Sequence, residues 1–156
     1  MRKTHLALVI VILLNIMFLI YILNLRSQLQ DHAAQVEAIK ANEHFIEQFF
    51  TYTSTKKRYE NIKPLMTADG YKSTFPSGLE LPETDNALDS KVEDFKPYGE
   101  QTEGKASFIN DFKVTTTFNK VSNTQGILVK TYLIKTASGW MVDDVEFIGN
   151  LGQGRK

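Results

Sequence analysis

The side chains that bind metals or attack substrates are few in this sequence, and their spacing suits neither task. The histidines are His5, His32 and His44, and a site using His32 and His44 together would need two chains or distant carboxylates. Cysteine is absent, which excludes disulfides and thiolate-bound metals and leaves any folded domain to be held by its core. No glycine loop has the form that cradles phosphate, and no Ser, His and Asp carry local nucleophile signals. The sequence therefore nominates no catalytic, cofactor-binding or metal-binding residue, and the chain is expected not to be an enzyme.

Two charge clusters remain. Lys56, Lys57 and Arg58 are consecutive and basic. Residues 76–104 carry 8 carboxylates against 2 lysines, and Glu80, Glu83 and Asp85 open that acidic stretch ahead of Asp89, Glu93 and Asp94. Opposite patches on one domain can meet head to tail between protomers, a heterologous contact; the plainer alternative is two solvated surfaces. A formal net charge of 0 gives no reason to expect direct nucleic-acid binding.

The elements that carry these residues begin with an apolar run. The 20 residues from Leu6 to Leu25 contain no charge and as a helix reach roughly 30 Å, the thickness of a bilayer's hydrocarbon core. The run is longer than a secretory signal core and ends in Arg26 and Ser27 rather than at a cleavage site, so it reads as an uncleaved signal-anchor bounded by Leu6 and Leu25. Arg2 and Lys3 precede it and Asp31 and Glu37 follow, which predicts a cytoplasmic N-terminus and an extracytoplasmic remainder on the plasma membrane.

Residues 1–26 form the stub and anchor, 27–42 a helical stalk, 43–149 one external domain and 150–156 a flexible tail. Helix is expected from Arg26 to about Tyr52, with Leu29, Val36, Ile39, Ile46 and Phe50 on one stripe that also includes His32 and Glu43. Two short helices follow, parting near Lys63, with Pro64 in the first turn of the second. After a loop with a strand around 91–98, the last third alternates as strands: Ala106, Phe108, Phe112, Val114 and Phe118 share one face with Asn110 and Thr116. Ser138 and Gly139 turn the chain into a final strand. There Trp140 and Val142 are out of phase with Val145 and Phe147, so one extra residue at Asp143 or Asp144, a β-bulge, is expected to bring all four to the core.

One long helix, two short ones and about four long antiparallel strands ending in TYLIKTASGWMVDDVEFIG resemble the cone-shaped nuclear transport factor two-like (cystatin-like) superfamily, over about residues 43–149. That resemblance implies an α+β fold in which a strongly curved antiparallel sheet wraps the helices. The cytoplasmic stub, single span and FFTYTSTKKRYENIKPLMTADGYKS further resemble the single-pass scaffold subunits of bacterial type IV secretion and conjugation machines. That likeness implies a non-enzymatic assembly subunit whose partners are copies of itself and other membrane or channel subunits. With only MRKTH before the span, the chain departs from the longer subunits in lacking a cytoplasmic interaction tail.

Enzymes of the superfamily that resemble ketosteroid isomerases use an Asp or Tyr inside the cone, where burial shifts a carboxyl pKa. The matching candidates are Asp111, Asp143, Asp144, Tyr98 and Tyr132. Asp111 alternates outward and the other two aspartates sit at the expected bulge, so exposed carboxylates are the plainer reading. A scaffold should have its cone filled by Trp140, Phe108, Phe112 and Phe118. The alternative, an anchored extracytoplasmic small-ligand-binding or sensor domain, needs an open pocket of several hundred Å³.

Overall fold

The computed structural model describes residues 2–75 and 88–151, the side chains of residues 2–11, 30 and 31 excepted. The elements are α1 (Arg2–Phe50), α2 (Thr55–Ile62), a 3₁₀ turn (Lys63–Leu65), α3 (Ala68–Thr74), β1 (Leu88–Thr102), β2 (Lys105–Phe118), β3 (Val121–Thr136) and β4 (Gly139–Leu151). By internal contacts the chain divides into two units, Met1–Val36 and Glu37–Lys156.

In the first unit, α1 is long and apolar enough to cross a membrane. Its large side chains from Ile12 to Leu25 are almost all exposed, Leu25 included. A helix that is apolar all round and unburied suits hydrocarbon rather than water.

The second unit is built on an antiparallel meander with strand order β1-β2-β3-β4. Alternation along β2 turns Ala106, Phe108, Asn110, Phe112 and Val114 to the inner, buried face. Pairing with β3 places Val129, Thr131 and Leu133 beside them. On β4, Asp144 pairs with Tyr132 while Val142 pairs with Leu133, so Asp143 is the extra residue of a bulge. That bulge gives Trp140, Val142, Val145 and Phe147 one face, as the phase change requires. Burial does not follow for all four: Phe147 is 61% exposed, because no helix among the described residues covers its end of β4, and Trp140 is half-buried at the margin of the core.

Inside the sheet lies the end of α1, burying Ala38, Asn42, Phe45, Ile46 and Phe49. The expected stripe is rotated. Val36 and Glu43 are exposed, and Ile39 and Phe50 are only partly buried. A curved sheet reaches around more of a helix than one seam, and the polar Asn42 at the middle of that face weakens its apolar pattern. Phe49 packs edge-on to Phe50, and Phe50 to Phe112, with ring centroids 4.9 Å apart in both pairs.

Short pieces then seal both edges of the sheet. Tyr52 pairs with Ser90 on β1, and Met66 with Val142 on β4. Ser54 caps α2 by accepting from the Lys57 amide, and Thr67 caps α3 by accepting from the Gly70 amide. Pro64 opens the 3₁₀ turn rather than α3, because Met66 must be extended to lie along β4. Thr67 also donates its hydroxyl to Asp143 at 2.7 Å, and its amide bonds the Val142 carbonyl. A Cβ on Gly70 would come within 2.4 Å of the Asp143 carbonyl oxygen, so glycine is required for this approach.

β1 is nearly twice as long as its sequence signal, which Pro97, Gly99 and its charges dilute. It is an edge strand, where proline is tolerated, and it bulges between Glu93 and Lys96 with Asp94 at φ 57°. The last turn is shifted by one: Thr136 pairs with Gly139, leaving Ala137 and Ser138 as the connecting pair. Of the expected tail, residues 152–156 lie outside the described residues, and Asn150 and Leu151 finish β4 instead.

Phe112→Ala should cost about 3–5 kcal/mol, and Trp140→Ala less, about 2 kcal/mol, since part of the indole stays in water. Urea denaturation of the full chain in detergent, followed by circular dichroism, checks the order; a larger loss at Trp140 would place the core at the β3–β4 turn.

Candidate functional site: a filled interior and an open mouth

The middle of the inner face holds three neutral side chains. Asn42 of α1, Asn110 of β2 and Thr131 of β3 are each 0% exposed. Thr131 Oγ1 donates to Asn42 Oδ1 (2.5 Å), Asn42 Nδ2 to Asn110 Oδ1 (2.6 Å), and Asn110 Nδ2 to Thr131 Oγ1 (3.0 Å). These three bonds close a ring, and a longer fourth bond from Asn110 Nδ2 back to Asn42 Oδ1 (3.4 Å) crosses it, an arrangement in which the bonds polarise one another. The buried polar residues among those described are these three with Ser54 and Ser90, none able to take or release a proton near neutral pH.

Next to this core, Arg58 of α2 lays its guanidinium over Phe49, 3.7 Å from the ring centroid, with Tyr52 at 5.1 Å and Phe50 and Tyr59 at 5.7 Å. Its Nε is buried without a hydrogen-bond partner. Desolvation pushes the guanidinium pKa down, with Tyr52 and Tyr59 acting the other way. Arg58 is thus a packing group, a correction to the basic cluster as three exposed side chains: Lys57 is exposed, Lys56 half-buried and Arg58 folded inward on rings. Its position one helical turn from Ser54 (i, i+4) after an aromatic-rich segment, FFTY, was the available signal.

At the far end of the inner face a groove of about 610 Å³ runs between Phe50 and Tyr52 on one side and Phe118, Val121 and Ile127 on the other. Phe118 is 56% exposed. The expectation that it fills the cone is therefore corrected: α1 ends at Phe50 and does not reach it. A second groove of about 610 Å³ includes Glu100, Ser107, Tyr132, Asp144 and Glu146, residues that pairing places on the outer face.

The remaining candidates are dispersed. Asp111 is half-buried on the outer face, Tyr98 is exposed beside Ile109, and Tyr132 lies under the Lys130 ammonium at 4.7 Å. Asp144 is exposed and caps the Val145 amide. Asp143, expected to be solvated, is half-buried and spent on Thr67. His32 and His44 are exposed, and among the described residues no three His, Asp or Glu side chains converge as a metal would require. Glu80, Glu83 and Asp85 lie outside the described residues; Asp94 faces Lys113 at 2.7 Å, which holds its carboxyl below the usual range.

The family model of the YddI NTF2-like domain matches residues 34–149. The chain belongs to the YddI NTF2-like family. It is 31% identical over 121 residues to the uncharacterized protein YddI of Bacillus subtilis (strain 168), covering 77% of this chain and 71% of that protein. Among solved structures it is similar to an IcmL-like type IV secretion system protein from Legionella pneumophila subsp. pneumophila strain Philadelphia 1, with a TM-score of 0.53 and 18% identity over 79% of this chain and 94% of that one. At that identity the likeness establishes the fold, an α+β arrangement with a curved four-stranded antiparallel sheet. In this YddI-family member the sheet encloses the end of α1 and a neutral hydrogen-bonded cluster.

Asn110→Ala should remove three hydrogen bonds of the cluster and destabilise the domain by about 1–3 kcal/mol, because Asn42 and Thr131 stay buried and short of partners. Arg58→Lys should cost about 1 kcal/mol through lost stacking on Phe49, whereas Lys57→Ala should stay within about 0.5 kcal/mol. Urea midpoints of the full chain report all three; an inert Arg58→Lys would make the ring contacts incidental.

Proposed function

We propose that this chain is a non-enzymatic, membrane-anchored scaffold subunit of a bacterial conjugative or type IV secretion apparatus. It lies in the plasma membrane with its N-terminus in the cytoplasm and the NTF2-like domain outside, and works by contact with copies of itself and with other channel subunits. The observation that carries this reading is the interior: α1 and the Asn42–Asn110–Thr131 ring occupy it, so function falls to surfaces. The fold shared with an IcmL-like type IV secretion protein and a helix apolar enough for an anchor support the assignment to a secretion machine. Tethering in one membrane raises the effective concentration of the domains and lets weak contacts suffice.

The basic side of such a contact is Lys56 and Lys57, with Arg58 bracing the helix, and its acidic complement on a neighbouring protomer is Glu80, Glu83 and Asp85. A second reading, an anchored small-ligand-binding or sensor domain, is favoured by the groove of about 610 Å³ at the mouth, a volume in the range of ligand pockets.

Replacing Lys56 and Lys57 by glutamate should leave the melting temperature unchanged, weaken in-membrane crosslinking of the chain and reduce DNA or protein transfer in the cognate machine. Changing Glu80, Glu83 and Asp85 to lysine in the same background should restore both. Normal crosslinking and transfer in the reversed variant, with loss only on replacing Asp111 or Asp144, would overturn the scaffold reading in favour of an enzyme or binder.

A further inference from the structure

Two polar side chains interrupt the apolar run of α1. Asn24 adjoins its end, within reach of water, but Asn15 lies at its middle, roughly 14 Å from either end. Asn15 is exposed on the helix surface, and in a membrane that surface faces hydrocarbon, where no water can satisfy an amide. The residues three and four positions away, Val11, Ile12, Phe18 and Leu19, are all apolar. Asn15 has an interaction within its own chain, yet an amide carries two N–H donors and an oxygen that accepts twice, so it retains capacity for a neighbour.

Beyond the run the helix turns polar. From Arg26 to Glu37 it reads RSQLQDHAAQVE, with Leu29 and Val36 as its large apolar residues. They are 62% and 38% exposed and belong to no buried cluster. They stand seven residues apart, and counting back in sevens from Leu29 reaches Ile22 and then Asn15. Between them, at steps of three and four, fall Phe18, Leu25 and His32. With Asn15, Ile22, Leu29 and Val36 at a, and Phe18, Leu25 and His32 at d, one heptad stripe runs from the middle of the span to the end of the first unit at Val36.

Charge stays off this stripe. Arg26 falls at e, where Tyr21 of a parallel copy would face it, Asp31 falls at c, and His32 is the polar exception at d. The helix surface is hollowed on the same side: Leu14, Asn15, Phe18 and Tyr21, at g, a, d and g, line a concavity together with Met17. Holes of that kind receive a side chain from a facing helix.

We infer that α1 pairs in parallel with α1 of a second copy along this stripe, with Asn15 of the two chains hydrogen-bonded to each other inside the membrane. The occupant follows from insertion. Copies enter the membrane in one direction and to one depth, so Asn15 meets its own counterpart where neither has water, and each amide offers both a donor and an acceptor. Outside the hydrocarbon, Leu29 and Val36 meet their counterparts in the same register and leave water. A single Asn at an a position fixes the register of a parallel pair, and Ile22 and Val36 at a with Leu25 at d favour two strands. The drift of about 20° per heptad is taken up by left-handed supercoiling. This contact is isologous and separate from the charged contact proposed above; it rests on that reading only in that α1 crosses the membrane.

The chain has no cysteine, so single cysteines report its neighbours directly. The test makes Leu29→Cys and Val36→Cys on the stripe, and Ser27→Cys and Ala34→Cys at f on the opposite side, each in the full chain in membranes oxidised with copper phenanthroline. Disulfide-linked dimer should form at positions 29 and 36 about tenfold faster than at 27 and 34, as expected when a side chains touch across the pair and f side chains point away. In the Leu29→Cys background, Asn15→Leu should slow the reaction about fivefold, the loss of roughly one interhelical hydrogen bond, and Asn15→Gln should keep most of the rate. The amount of chain in the membrane should not fall with Asn15→Leu, since leucine inserts more readily. Equal rates at all four positions, an Asn15→Leu rate equal to the parent's, or disulfides with a different protein in place of a second copy overturn the proposal. Extraction of the unaltered chain by alkaline carbonate removes the anchor reading and the proposal together, whereas a chain retained in the membrane that forms no dimer removes the proposal alone.

Discussion

The structure depends on enclosing the end of α1 in the inner face of one four-stranded sheet. Water is excluded from the middle of that face, so every polar group there must find its partners within the protein or carry an uncompensated desolvation cost. Asn42, Asn110 and Thr131 meet this constraint together, one residue from each of three elements. Leu or Phe at Asn42 would pack without directional demand; the hydrogen bonds among these three side chains accept one rotation and one height of the helix. The apolar residues supply the driving force for burial, and the ring selects among the ways of satisfying it.

The same requirement explains the short elements. A meander leaves two edge strands whose backbone groups would be free to pair with another chain. Here Tyr52 closes on β1 and Met66 and Thr67 close on β4. The bulge at Asp143 both changes the strand phase and presents its carboxylate to Thr67, the cap of α3. A residue that looks catalytic on paper is thus used to fasten a helix to an edge. Arg58 is a parallel case. Its cation lies over aromatic rings next to the core, and cation–π attraction offsets part of its desolvation.

Among the described residues, the buried polar side chains of the interior are neutral. The surfaces of the domain include lysines at the start of α2 and a groove at the mouth whose lining side chains are uncharged. These surfaces differ in physical character. Contacts made by exposed lysines weaken with salt, because exposed charges are screened; contacts in the groove depend on apolar area and are little affected by it.

Much of this was legible in the sequence, where a local pattern carries a long signal. The apolar run from Leu6 to Leu25, the alternation through Phe108 and Phe112, and the phase change around Asp143 report membrane affinity, strand facing and a bulge with no knowledge of neighbours. The absence of spaced histidines, cysteines or a phosphate loop likewise left no chemistry to nominate. What pairing and enclosure create could not be read. Asn42 and Asn110 are 68 residues apart, and each alone looks like a polar interruption on an apolar face. Arg58 sits in a basic triplet and becomes a half-buried packing group only because Phe49, Tyr52 and Tyr59 are folded around it. Phe118 belongs to the inner face by alternation, yet it is exposed because α1 ends at Phe50. Facing is a local property of the backbone, whereas burial depends on what arrives opposite, and only the tertiary structure decides that.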